Sequence, residues 1–365
     1  MEHYISSVNH QLVEFLNYSN VEENGGAMRN FSLQDDNLYE VPAGIIVLLS
    51  IGYGSISLVA VVGNFCVLWI VATSRRMQTV TNFFIANLAC ADIIIGLFSI
   101  PFQFQAALLQ RWVLPNFMCA FCPFVQVLSV NVSIFTLTAI ALDRYRAVMS
   151  PLKARTSKLR AKVAVLGIWA FSAALGVPNA VALRVSLQND PVTGNKTKPF
   201  CQNSGIPPLA WRTYNHILVS LQYFVPLFII SYAYIRMGIR LRQNQTPGNA
   251  QGPRDANILR NKQKVIKMLF IVVAVFTICW LPFQTYNILQ EVYPTINNYK
   301  YINVIWFCCH WLAMSNSCYN PFVYAIYNER FNTEFKNRFN CCTRSFRGQQ
   351  QDQKEFDYSL SSRYG

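Results

Sequence analysis

The sequence predicts an all-α membrane protein: a bundle of seven transmembrane helices followed by a short amphipathic helix. Three observations lead there. Of the 365 residues, 53% are hydrophobic and only 13% charged, too apolar and too charge-poor for a typical soluble chain. Seven runs carry no charge or almost none, and each is long enough for the ~20 residues that cross a hydrocarbon core as a helix. Lysine and arginine gather in alternate connections, the pattern of loops retained on the cytoplasmic side.

The runs, in order, are Val41 to Ser74, Met77 to Gln110, Val113 to Leu142, Val163 to Leu183, Thr213 to Ile235, Met268 to Gln290 and Tyr301 to Asn328. With the N-terminus outside, the outer segments hold only Arg29, Arg111, Arg184, Lys196, Lys198, Arg212 and Lys300 of the 31 basic residues. The net charge of +14 therefore marks topology and the anionic inner leaflet. No compact basic domain exists to bind nucleic acid. The sequons at Asn17, Asn30 and Asn195 all fall on the outer side, as glycosylation requires; a fourth, at Asn131, lies inside the third run and is discounted. No short apolar core follows a basic start, so the first span is expected to act as its own signal.

Four segments follow from this reading. Residues 1–40 form a polar outer arm, 41–328 the seven-helix bundle, 329–342 an amphipathic membrane-surface helix and 343–365 a cytoplasmic tail. The surface helix rests on Phe331, Phe335 and Phe339, spaced by four with charges between them. Cys341 and Cys342 follow it and are candidates for palmitoylation. The stretch from Gln243 to Ala256 is rich in Gly, Pro and Asn and reads as a loop.

Polar residues inside the runs carry the functional argument. Asp92 is the only acid at mid-depth in a span, and a carboxylate in hydrocarbon points to a bound cation or proton. Ser133 on the third run, Asn64 on the first, and Asn316 and Asn320 on the seventh complete a polar nest in which amides and acid satisfy one another. A sodium ion held by Asp92, Ser133, Asn316 and Asn320 is the corresponding cofactor reading. Interhelical hydrogen bonding alone accounts for the amides taken singly. Pro282 removes a helix hydrogen bond and clashes with the Ile278 carbonyl, so the sixth span is expected to kink beside Trp280.

"GN" (Gly63, Asn64), "NLACAD" (Asn87 to Asp92), Trp112 and Cys119, "DRY" (Asp143 to Tyr145), Trp169, Pro226 with Tyr234, "CWLP" (Cys279 to Pro282) and "NPFVY" (Asn320 to Tyr324) occur in order, at least one per span. Together they resemble the rhodopsin-like G protein-coupled receptors. The resemblance implies a disulfide between Cys119 and Cys201, although spacing alone leaves Cys122 open as the partner. It implies a switch in which Arg144 pairs with Asp143 at rest, with Tyr145, Tyr234, Phe276, Trp280, Pro282, Asn320, Pro321 and Tyr324 rearranging as the sixth span swings. It also implies heterotrimeric G proteins, with arrestin and a receptor kinase at the tail, as partners of a multi-pass plasma-membrane protein.

The seventh run contains no lysine for a retinal Schiff base, and Gln126 stands on the third-span stripe where an amine receptor needs an acid. Phe283, Gln284, Asn287 and Glu291 follow Trp280 along the sixth run. A floor of amides below a rim acid suits a peptide whose C-terminal amide inserts while an arginine pairs with Glu291. "CWLPFQTYNILQEVYP" with "HWLAMSNSCYNPF" resembles the neuropeptide Y-like receptors, and among them the invertebrate RYamide receptors. The second stretch is also similar to tachykinin receptors, which stand as the alternative. A transporter is a further alternative of another class, disfavoured because no internal repeat appears. An enzyme is disfavoured because the cysteines and His3, His10, His216 and His310 form no metal or nucleophile constellation.

Overall fold

A computed structural model of the chain describes residues 43–109, 111–150, 156–189, 196–243, 253–293, 295–296, 299 and 301–338. The sequons at Asn17, Asn30 and Asn195, and Phe339, Cys341 and Cys342, lie outside the described residues. The helices are the first span Ala43–Thr73, the second Val80–Phe98 continued by Ile100–Leu109, the third Asn116–Met149, the fourth Lys158–Ala182, the fifth Pro208–Val219 continued by Val225–Gln243, the sixth Pro253–Val292 and the seventh Ile302–Tyr327. A final short helix covers residues 329–338. The helices pack in sequence around one core, in which Ile134, Phe276, Trp280 and Tyr324 are buried.

Six spans, all but the seventh, are long and apolar enough to cross a membrane by length and composition alone. The seventh has 26 residues, the length required, but its buried face carries His310, Ser315, Asn316, Ser317 and Asn320. Those residues lower its hydropathy because they serve neighbouring helices rather than lipid.

Several helices outrun the apolar stretches that announce them. The sixth extends to 40 residues, ~60 Å at 1.5 Å per residue, about twice a hydrocarbon core. Apolarity marks only the part in lipid; the helix continues because its polar residues still favour it. Local chemistry sets other boundaries. Thr79 caps the second span by accepting from the Asn82 N–H, and Ser157 caps the fourth by accepting from Arg160. The second span breaks at Ser99, where Pro101 cannot donate to the preceding turn. The fifth takes one wider π-type turn at Ser220–Phe224, just before Pro226, which likewise has no N–H to give.

Between the fourth and fifth spans, β1 (Leu183–Asn189) pairs antiparallel with β2 (Lys196–Asn203), with Val185 opposite Cys201. A disulfide ties this hairpin to Cys119 at the start of the third span, while Cys122 is a free, buried thiol. The Trp112 N–H donates to the Pro199 carbonyl at 2.7 Å, a second anchor. The hairpin thus defines one end of the bundle; Arg144 lies near the other.

Candidate functional site

At the centre of the bundle, Asp92 is buried, and Asn320 Nδ2 donates to its Oδ2 at 2.8 Å. Ser317, absent from the expected set, is buried one helical turn before Asn320 on the seventh span, and its carbonyl accepts from Asn64. Asn64 does not join the acid. Its Nδ2 donates to the carbonyls of Ala60 (2.9 Å) and Ser317 (2.8 Å), so it staples the first span to the seventh. Gly63 makes that approach close: a Cβ there would meet Pro321 Cγ at 3.0 Å. Ser133 and Asn316 are buried, but among the described residues neither is seen to hydrogen-bond Asp92. Beside this nest, Asn87 donates to Thr136 Oγ1 and accepts from Trp169 Nε1, each at 2.8 Å, joining the second, third and fourth spans.

A sodium ion prefers hard oxygen donors. The Asp92 carboxylate and the Ser133 and Ser317 hydroxyls supply them, and Ser129 Oγ and Asn64 Oδ1 are buried with no partner among the described residues. These are oxygens of the kind sodium takes.

Above the nest, towards the hairpin, lies a run of aromatic rings. Phe276 stacks on Trp280 (centroids 5.9 Å apart), Trp280 meets Phe283 edge-on at 6.3 Å, and Phe283 meets His310 at 5.5 Å. His310 also stacks on Trp306, 4.8 Å away. Tyr53 donates its hydroxyl proton to the Phe307 carbonyl at 3.0 Å, so its oxygen must accept from His310 Nδ1 at 2.9 Å. This assigns the proton to Nδ1 and leaves Nε2 an acceptor. Nε2 has no partner among the described residues; nor do Gln284 Oε1, Trp280 Nε1 or Gln103 Nε2. Gln103 adjoins Phe104, whose ring stacks on Tyr53 at 4.4 Å. Two acceptors and two donors are therefore buried unpaired, His310 Nε2 and Trp280 Nε1 on the ring cluster itself and Gln284 Oε1 and Gln103 Nε2 on residues adjoining its Phe283 and Phe104, a costly arrangement at about 1–3 kcal/mol per group.

The expected ligand residues divide. Gln284 and Phe283 belong to this cluster, while Gln126 and Asn287 are half-buried. Glu291 is not a free rim acid: its Oε2 lies 2.5 Å from His216 Nε2 and 3.8 Å from Arg212 Nε, both on the fifth span. Sequence reasoning missed His310, Tyr53, Gln103 and Ser317. A buried histidine at one helical turn from Trp306 was visible in the seventh run, but its partner Tyr53 is more than 250 residues away.

At the opposite end, Arg144 Nη2 pairs with Asp143 Oδ2 at 2.6 Å and donates to Thr81 Oγ1, while Thr156 donates to Asp143 Oδ1 at 2.7 Å. Tyr234 meets Phe270 edge-on, and Tyr145 tilts against Tyr232. Tyr324 stacks on Phe331 at 5.7 Å. Phe331, expected to lie on the membrane, is instead wholly buried, and Phe335 packs beside it. Lys264 Nζ pairs with Glu329 Oε1 at 2.5 Å, and the ammonium holds that carboxyl below its usual range.

The model of the 7 transmembrane receptor (rhodopsin family) matches residues 63–324. Among curated proteins, a "Tachykinin-like peptides receptor 99D" of Drosophila melanogaster is 37% identical over 83% of this chain and 59% of its own length. A human "Neuromedin-K receptor" is 37% identical over 84% of this chain and 64% of its own, and a human "Substance-P receptor" 35% identical over 84% and 74%. The chain thus spans less than two thirds of the first two relatives' lengths. The match covers the spans that hold the Asp92 nest, the disulfide and the Asp143–Arg144 pair, and the chain belongs to the rhodopsin family of seven-transmembrane receptors.

Proposed function

We propose that the chain is a plasma-membrane receptor, N-terminus outside, for an amidated neuropeptide of tachykinin type, and that peptide binding at the hairpin end releases the Arg144 end to engage heterotrimeric G proteins. The observation that carries this reading is the set of unpaired groups around the aromatic cluster. A carboxamide has two N–H donors and one carbonyl. His310 Nε2 and Gln284 Oε1 accept the donors; Trp280 Nε1 and Gln103 Nε2 serve the carbonyl. Free carboxylate would bring a charge into an aromatic site without a paired cation, which is unfavourable. The relatives favour tachykinin-type peptides over the RYamide or neuropeptide Y-like ligand that the sixth-span motif suggested.

Trp280 links this site to the switch. A ligand pressing on Phe283 and Trp280 reaches Phe276 through stacked rings, and Pro282 leaves the helix free to bend there. Arg144, committed at rest to Asp143 and Thr81, then becomes available to a partner. Sodium at Asp92 belongs to the resting state in this scheme. Glycosylation at Asn17, Asn30 and Asn195, palmitoylation at Cys341 and Cys342, and arrestin and kinase recruitment remain part of the same proposal.

The test is a calcium and cyclic-nucleotide assay in cells expressing the full chain, with amidated tachykinin-type, RYamide-type and neuropeptide Y-type peptides, each beside its free acid. A tachykinin-type amide should act, and its acid should be weaker by about tenfold to a hundredfold. Equal potency of amide and acid removes the carboxamide site. A response confined to RYamide-type peptides restores the other ligand class.

A further inference from the structure

The Glu291 rim differs from the sites already described. Arg212 and His216 stand four residues apart on one face of the fifth span and reach across to the sixth, where the Glu291 side chain is only 15% exposed against 50% and 54% for theirs. Glu291 Oε2 is at ion-pair distance from both, yet it receives no aligned hydrogen bond among the described residues. The acid is thus contacted by both residues but poorly satisfied. A guanidinium presenting two parallel N–H groups would satisfy it better than either resident does.

We infer that Arg212 and His216 form a displaceable cationic cap on Glu291 that penalises a ligand's own cation and so determines which peptides the receptor prefers. This rests on the peptide-receptor reading above. A ligand with no cation next to its amidated end leaves the cap closed and loses nothing. A ligand carrying an arginine there meets the Arg212 guanidinium first, with His216 already seated on Glu291, and gains the carboxylate only by displacing both. The cap accordingly biases the receptor away from arginine-bearing peptides, although the rim holds an acid.

Two measurements on the full chain in membranes decide it. The first is competition binding with a pair of amidated peptides identical except for arginine or citrulline at the residue before the amidated one. In Arg212→Gln, His216→Leu and the double variant, the arginine peptide should gain about threefold to tenfold in affinity while the citrulline peptide stays unchanged. Adding Glu291→Gln should remove that gain. Equal changes for both peptides, no change, or a loss for the arginine peptide overturn the cap. The second needs no ligand: a thermal-stability cycle between His216→Leu and Glu291→Gln should show the two effects to be non-additive. Additivity overturns the contact itself. If neither peptide binds the wild type, the peptide reading fails, and the stability cycle still decides the cap.

Discussion

The middle of the bundle and the ring cluster above it differ in their buried polar groups: in the middle the amide N–H donors are met and the open atoms are oxygens, Asn64 Oδ1 and Ser129 Oγ, whereas at the rings an N–H donor, Trp280 Nε1, also stands open. In the middle, Asn87, Asn320 and Asn64 each donate at 2.8–2.9 Å to partners on other helices or to their own backbone. Around Phe283, Trp280 Nε1 and His310 Nε2 are buried with no partner among the described residues. Hydrogen bonds of the first kind hold helices in register; unmet groups of the second kind lower stability unless a ligand supplies what is missing. The contrast teaches which buried polar residues belong to the scaffold and which to recognition.

The largest effect tests the frame that both regions share. Replacing Cys119 or Cys201 with Ser frees the hairpin from the third span, and agonist binding should be abolished in either variant. Normal binding in each single variant means the bridge is idle. Next comes the contrast itself. Asn87→Leu strands Thr136 and Trp169, and should lower thermal stability by about 1–3 kcal/mol while leaving the amide-to-acid ratio intact. His310→Phe should do the reverse, with stability little changed and the amide preference reduced. If both variants only destabilise, the unpaired groups are not a recognition site. The smallest effect concerns sodium. An ion that binds the resting bundle lowers agonist affinity by linkage. Added sodium should therefore weaken agonist binding severalfold in the wild type and not in Asp92→Asn. Equal sodium sensitivity in the two sinks the ion site.

Much of this arrangement was legible in the sequence because lipid imposes a simple rule: backbone groups must be satisfied within each helix, so spans show up as apolar runs. Asp92 and Asn320 were legible for the same reason, since each stands out against hydrocarbon. Partners were not. Nothing in the sequence separates Asn320, which bonds Asp92, from Asn316, for which no such bond is seen among the described residues. Glu291 reads as a rim acid, but its contact with His216 depends on how the fifth and sixth spans lie side by side. The hairpin was hidden because only Leu183–Asn189 alternates apolar and polar residues, while its partner Lys196–Asn203 does not and carries Pro199. Phe331 was misplaced for another reason: a helical stripe of phenylalanines reads alike whether it faces lipid or protein.

That burial gives the short helix after the seventh span a different standing. Phe331 fills space under Tyr324, Ser74 donates to Glu334 at 3.0 Å, and Arg338 lies over the Trp69 ring at 4.7 Å. The helix is a strut wedged between the first and last spans, so the protein's floor does not stop at Tyr327 but takes in the helix 329–338. A chain shortened to Tyr327 would lose a floor beam, and a pull on the tail would be felt at Tyr324, inside the machinery that answers the ligand.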